Sequence, residues 1–306
     1  MPTPPVELHH VEVGVCDLAR SLEFYVDVLG LHPTHQRAWT PLEAWLRAGP
    51  GFLRLVRVED GNLGGWQSVN HQAGLRHAGF TVADVDVWAE RLQRRGIEFV
   101  IAPMTALGDV RIVFFSDPDG ALVELVSGDL RYTEVWDDGL LARRREHRTP
   151  HGEGLVLDHA ATTVADLGQA LSTYADGLGM GRLGQVPHPG DERGYVRSYL
   201  AAGTGVLEVF SYALAPLPAA AEVDAQRLGL RTVALTSPDP EGAAALVVAH
   251  GGHVRRPENP HQHAMGQHAM GQHAMGQHAM GREVVDRDGL SLRFLPTDWS
   301  PTAPPA

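Results

Sequence analysis

The stretch Leu8-His9-His10-Val11-Glu12-Val13-Gly14-Val15-Cys16-Asp17-Leu18, followed by Phe24-Tyr25-Val26-Asp27-Val28-Leu29-Gly30-Leu31, is written twice in this chain. It returns as Leu157-Asp158-His159-Ala160-Ala161-Thr162-Thr163-Val164-Ala165-Asp166-Leu167, followed by Thr173-Tyr174-Ala175-Asp176-Gly177-Leu178-Gly179-Met180. At one constant offset His10, Asp17, Tyr25, Asp27 and Gly30 fall on His159, Asp166, Tyr174, Asp176 and Gly179. In the first copy Val11, Val13 and Val15 alternate with His10, Glu12 and Gly14, the period of a strand with one buried face. Asp17 then stands where a helix N-cap belongs, ahead of Leu18, Leu22, Tyr25 and Leu29 at helical spacing, and Gly30 stands at the C-terminal cap.

A second unit begins at Gly74-Leu75-Arg76-His77, passes Asp84 and Gly96, and recurs from Gly229-Leu230-Arg231-Thr232 through Asp239 and Gly251. It closes on Asp117-Pro118-Asp119-Gly120-Ala121-Leu122-Val123-Glu124-Leu125, echoed by Asp286-Arg287-Asp288-Gly289-Leu290-Ser291-Leu292-Arg293-Phe294. Short runs such as Arg111-Ile112-Val113-Phe114-Phe115 supply the later strands, joined by the turn Asp117-Pro118-Asp119-Gly120. The expected fold class is α+β, with four βαβββ modules. They are expected in two domains, 6–128 and 154–298, joined by a linker at 129–153 that carries a short helix. Gln-His-Ala-Met-Gly occurs four times in tandem over 262–281. Its period gathers the imidazoles on no common face, so a loop is expected there.

The 306 residues, with 43% hydrophobic and 20% charged, suit a globular chain with a sizeable core. No apolar run is long enough to span a bilayer and the N-terminus lacks a signal-peptide pattern, so a soluble cytoplasmic protein is expected. A net charge of -12 argues against nucleic acid and against an anionic membrane surface. One cysteine, Cys16, excludes an internal disulfide and a Cys-rich metal site. All 25 basic residues are Arg, which removes Schiff-base chemistry and a lysine-bearing phosphate loop. A metal, if present, has His and carboxylate to hold it.

The combination of His10, Asp17, Phe24-Tyr25 and Leu29-Gly30-Leu31 with Asp117-Pro118-Asp119-Gly120 and Glu124 resembles the vicinal oxygen chelate superfamily, which includes glyoxalase I, the fosfomycin and bleomycin resistance proteins, methylmalonyl-CoA epimerase and the extradiol dioxygenases. The resemblance covers nearly the whole chain. It implies two vicinal-oxygen-chelate domains, each a cup-shaped mixed β-sheet with outer helices, around one divalent metal. Carried over position by position, it puts the ligands at His10, His77 and Glu124, a facial triad with positions open for substrate oxygens and O₂. Fe²⁺ is the expected ion, with Mn²⁺, Zn²⁺ and Ni²⁺ as alternatives. His159 and Glu208 also match ligand positions, but Thr232 and Arg293 replace the second His and the terminal Glu. The C-terminal cup is therefore expected to be metal-free, with Arg293 either repelling a cation there or pairing with Glu208. His71, on a Gly-rich loop before His77, is the candidate acid–base group. His9 is expected on the opposite face of its strand from His10.

The activity this implies is extradiol-type cleavage of a catechol- or hydroquinone-like aromatic with vicinal oxygens, using O₂. A metal-dependent lyase, isomerase or epimerase is the alternative. So is a non-catalytic drug-binding protein with Trp45, Trp66 and Trp88 as stacking groups. A homodimer stays open.

Overall fold

The computed structural model describes residues 5–34, 41–106, 108–148, 154–224, 226–255 and 281–301. The tandem repeat, apart from Gly281, lies outside the described residues.

Four modules follow one plan. The first runs β1 (Glu7–Val15), α1 (Leu18–Leu22), β2 (His32–Pro33), β3 (Glu43–Ala48) and β4 (Gly51–Arg57). The second runs β5 (Gly74–Thr81), α2 (Val85–Arg94), β6 (Phe99–Thr105), β7 (Arg111–Ser116) and β8 (Leu122–Ser127). After β9 (Glu134–Val135) and α3 (Asp138–Arg148) comes the third: β10 (Val156–Thr163), α4 (Leu167–Leu171), β11 (Gly181–Pro187), β12 (Val196–Ala202) and β13 (Gly205–Ser211). The fourth is β14 (Gly229–Ser237), α5 (Pro240–Ala249), β15 (His253–Val254), β16 (Arg282–Val285) and β17 (Ser291–Pro296).

Each module's helix starts on an aspartate whose side chain accepts backbone N–H groups of the first turn: Asp17, Asp84, Asp166 and Asp239. The helical stripe after Asp17 is α-helical only over Leu18–Leu22, then widens into a π-helical turn, Glu23–Val28, before Gly30 at φ 73°. The wider turn leaves the adjacent side chains of Phe24 and Tyr25 both buried.

Strand order sets the site. One sheet reads β15-β16-β17-β14-β1-β4-β3-β2, and the other β6-β7-β8-β5-β10-β13-β12-β11-β9. Module one therefore pairs with module four, through antiparallel β1 and β14, and module two with module three, through antiparallel β5 and β10. Each cup draws on both halves of the chain. The inner faces of both sheets, among them Val11, Val13, Phe80, Ala160, Leu200, Val233 and Leu292, share one continuous core. Among the described residues no helix is long and apolar enough to cross a membrane.

Candidate metal centre

His77 on β5, Glu124 on β8, His159 on β10 and Glu208 on β13 are all buried, and their ligand atoms lie within 4.8 Å of one another. Parallel pairing puts Gly79 beside Glu124 and Ala161 beside Glu208, while antiparallel pairing puts His77 beside Ala161. Polar side chains interrupting four apolar strands thus meet on one face of one sheet.

His77 Nε2 and His159 Nε2 are 3.0 Å apart, and Glu124 Oε2 lies 3.1 Å from the first and 2.9 Å from the second. Glu208 Oε2 stands 3.5 Å from His77 Nε2 and 3.6 Å from His159 Nε2. Lone pairs this close repel unless a proton or a cation sits among them. Burial alone would push Glu124 up and His159 down. Instead, hydrogen bonds to the two imidazoles hold the Glu124 carboxyl down at about 2, and bonds to Asp158 and Glu124 push His159 up to about 10. Glu208 is likewise lowered, against its burial, by His77 and His159. Two imidazoles and two carboxylates are a donor set for one divalent ion of the Zn, Ni, Mn or Fe kind. The residues fit such an ion.

A β-bulge between Leu157 and His159 brings Asp158 round to its neighbour, where Oδ2 accepts from His159 Nδ1 at 2.8 Å. Asp158 is held in turn by Thr81 Oγ1 at 2.9 Å and Arg144 Nη2 at 2.8 Å. A carboxylate behind a ligating imidazole fixes its tautomer and aim. His77 packs edge-on to Phe114 at 5.0 Å, and its buried Nδ1 has no partner among the described residues.

The set expected from sequence was His10, His77 and Glu124. His77 and Glu124 stand together, but His10 does not join them: β1 belongs to the other sheet, because module one pairs with module four. His159 occupies the matching place on β10. His10 instead packs edge-on to Trp45 at 4.7 Å, with Trp299 at 6.2 Å. Nor does Arg293 pair with Glu208. Arg54 and Arg293 stand at the strand positions that Glu208 and Glu124 hold in the other sheet, and Thr232 stands at that of His77.

These arginines close on Glu12, whose carboxylate accepts from Arg54 Nη1 at 2.6 Å, Arg231 Nε at 2.8 Å and Arg293 Nη1 at 3.1 Å. The other cup is thus filled by its own buried ion cluster. His9 also departs from expectation: a bulge between Leu8 and His10 turns it toward His10, with the two Nδ1 atoms 2.8 Å apart, and stacks it on Phe52.

His71 lies outside the quartet. Its ring is edge-on to Tyr212 at 4.5 Å, and its Nε2 is buried without a partner among the described residues. Ring contacts run from it through Tyr212, Tyr195 and Phe210 to His77. Trp88 is core, and Trp66 donates to the Leu75 carbonyl.

The model of the Glyoxalase/Bleomycin resistance protein/Dioxygenase superfamily matches residues 7–125 and 156–294. Among curated proteins, an uncharacterized Bacillus subtilis protein, YwkD, is 31% identical over 123 residues, covering 39% of this chain and 94% of its own length. A lactoylglutathione lyase of Arabidopsis thaliana is 28% identical over 185 residues, 59% of this chain and 57% of that protein. Among solved structures, glyoxalase I from Zea mays superposes with a TM-score of 0.61 at 19% identity, covering 95% of this chain and 92% of that one. A putative dioxygenase from Bacillus subtilis does so at 0.57 and 12% identity, covering 96% and 86%. At these identities the two structures speak for the fold.

Proposed function

The chain belongs to the Glyoxalase/Bleomycin resistance protein/Dioxygenase superfamily, and from that premise we propose that it is a divalent-metal-dependent lyase or isomerase of glyoxalase type. It moves a proton between two adjacent, oxygen-bearing carbons of a small substrate. The observation that carries this reading is Glu208, a second carboxylate among the donors. A facial triad leaves positions for both substrate and O₂. A fourth protein donor takes one of these and brings a base to the substrate, which weighs against the ring-cleaving dioxygenase expected from sequence.

A bound divalent ion would polarise the substrate carbonyl and acidify the neighbouring C–H bond. Glu124 Oε2, shared between both imidazoles, is the fixed carboxylate, and Glu208 Oε2 is the looser one. Glu208 Oε2 takes the proton from one carbon and returns it to the next. Asp158 keeps His159 aimed throughout. Phe114 and Phe210, against His77, keep water from the reacting carbons.

The test is to strip the protein of metal, reload it in turn with Ni²⁺, Zn²⁺, Mn²⁺ and Fe²⁺, and assay a panel of small α-hydroxycarbonyl compounds with and without a carboxylate, the hemithioacetal of methylglyoxal and glutathione among them, while recording O₂. Turnover without O₂ uptake is expected, lost by at least about 100-fold in Glu208→Gln. O₂ consumption with a catechol by the Fe²⁺ form would return the dioxygenase reading.

A further inference from the structure

Arg197 stands on β12, in register with Phe210 of β13. Its side chain is 15% exposed, its Nε donates to His188 Nε2 at 2.9 Å, and its Nη1 lies 3.8 Å from Glu208 Oε1, beyond hydrogen-bond reach. Among the described residues its two Nη groups have no acceptor. The neighbouring acid on the β11–β12 loop, Asp191, is engaged by Arg193 at 2.6 Å. Along the β11–β12 loop opens a cleft of about 660 Å³ lined by His188, Arg193 and Tyr195 together with the acids Asp191 and Glu192, and Arg197 reaches its wall through His188. The Tyr195 ring stacks on His188 at 4.6 Å and on Tyr212 at 4.8 Å, which gives this side of the cup a flat aromatic wall.

Charge balance gives Arg197 its use. Glu124 and Glu208 together match a divalent ion. Once both serve as ligands, the charge of Glu208 no longer offsets Arg197. A guanidinium mostly shielded from water and left without a counter-charge is costly, and an anion supplied by a ligand removes that cost. The planar fork of Arg suits a carboxylate.

We propose that Arg197 is a specificity-determining residue that holds a carboxylate of the substrate, so that the substrate class is a small carboxylate whose anionic group lies beside the carbons from which Glu208 moves the proton. The inference rests on the metal reading above and names the substrate class for that site. It also makes metal and anion mutually dependent, because the ion frees Arg197 from Glu208.

The test uses the full chain, with and without Zn²⁺, and follows by calorimetry the binding of benzoate and of its neutral counterpart benzamide. Benzoate is expected to bind the Zn²⁺-loaded protein at least about ten-fold more tightly than benzamide does, as for a charge-assisted hydrogen bond. It is expected to weaken at least about ten-fold on removal of Zn²⁺ or in Arg197→Met, while Arg197→Met keeps the full Zn²⁺ stoichiometry. By reciprocity, saturating benzoate tightens Zn²⁺ binding by the same factor. If the loaded wild type binds benzoate and benzamide alike, or Arg197→Met keeps both Zn²⁺ and benzoate, the inference falls and the metal reading stands. If the chain takes up no ion at its four donors, both fall. Should Arg197→Met not fold, Arg197→Lys, which keeps the charge without the planar fork, replaces it, and an undiminished benzoate affinity there overturns the inference.

Discussion

Gly79 determines whether His159 is a ligand. The β5–β10 register sets the two residues opposite each other, and a Cβ on Gly79 would lie 2.0 Å from His159 Cε1 and 2.3 Å from Nε2. In the other sheet Ala234 opposes His10, so that place is already taken by a methyl group. The same contrast holds behind the rings, where Asp158 backs His159 and His9 backs His10. His10 and His159 look alike in the sequence because they hold the same place in the repeat. What separates them is who faces them across the sheet, and that lies far away along the chain. We expect Gly79→Ala to displace the imidazole, cost about 1–3 kcal/mol by overpacking, and weaken ion binding. Thermal melts and Zn²⁺ titration check this. Unchanged Zn²⁺ affinity would show that the glycine does not place the ring.

Between elements, a repeated tyrosine–aspartate pair pins each π-helical turn to the closing turn of the next module in the same half. Tyr25 Oη donates to Asp117 Oδ2 at 2.9 Å, and Tyr174 Oη donates to Asp286. The other oxygen of each aspartate accepts backbone N–H groups of its own turn, from Asp119 and Ala121 and from Asp288 and Leu290. The Tyr and the Asp-x-Asp-Gly turn were both plain in the sequence, but their contact, bridging the two sheets, was not. Burial pushes both carboxyls from 3.8 up to about 6, only partly offset by these hydrogen bonds. A raised carboxyl favours the folded state while protonated, so its contribution is complete below pH 3.8 and is lost as pH rises through about 6. The loss is of order 3 kcal/mol per group. Asp117→Asn, which keeps the shape without the charge, is expected to gain stability relative to wild type as pH rises from about 4 to about 7. Denaturant midpoints across that range measure it, and parallel curves for the two proteins would contradict it.

At the scale of the molecule, the four-module plan was legible because each module carries its own strand period, N-cap aspartate and turn. The pairing of modules was not. Modules one and three share one pattern and modules two and four another, so β1 reads as able to zip against β5 as well as against β14. The structure chooses β14, and the choice decides the chemistry. Pairing within halves would have set His10 and Thr232 each beside the wrong partners and split the quartet. Pairing across halves collects His77, Glu124, His159 and Glu208 in one cup and confines Arg54 and Arg293 to the other, where they share Glu12 and pair further with Glu43 and Glu283. Two substitutions in the intact chain separate the arrangements. His159→Ala should cut ion affinity by more than the roughly 10–100-fold typical of losing a group behind a ligand. His10→Ala should leave ion affinity unchanged and lower only the melting temperature, since the ring it removes packs on Trp45 and Trp299. Were His10→Ala to abolish ion uptake while His159→Ala preserved it, the modules would be joined within halves, and the metal cup would have to be rebuilt around β1.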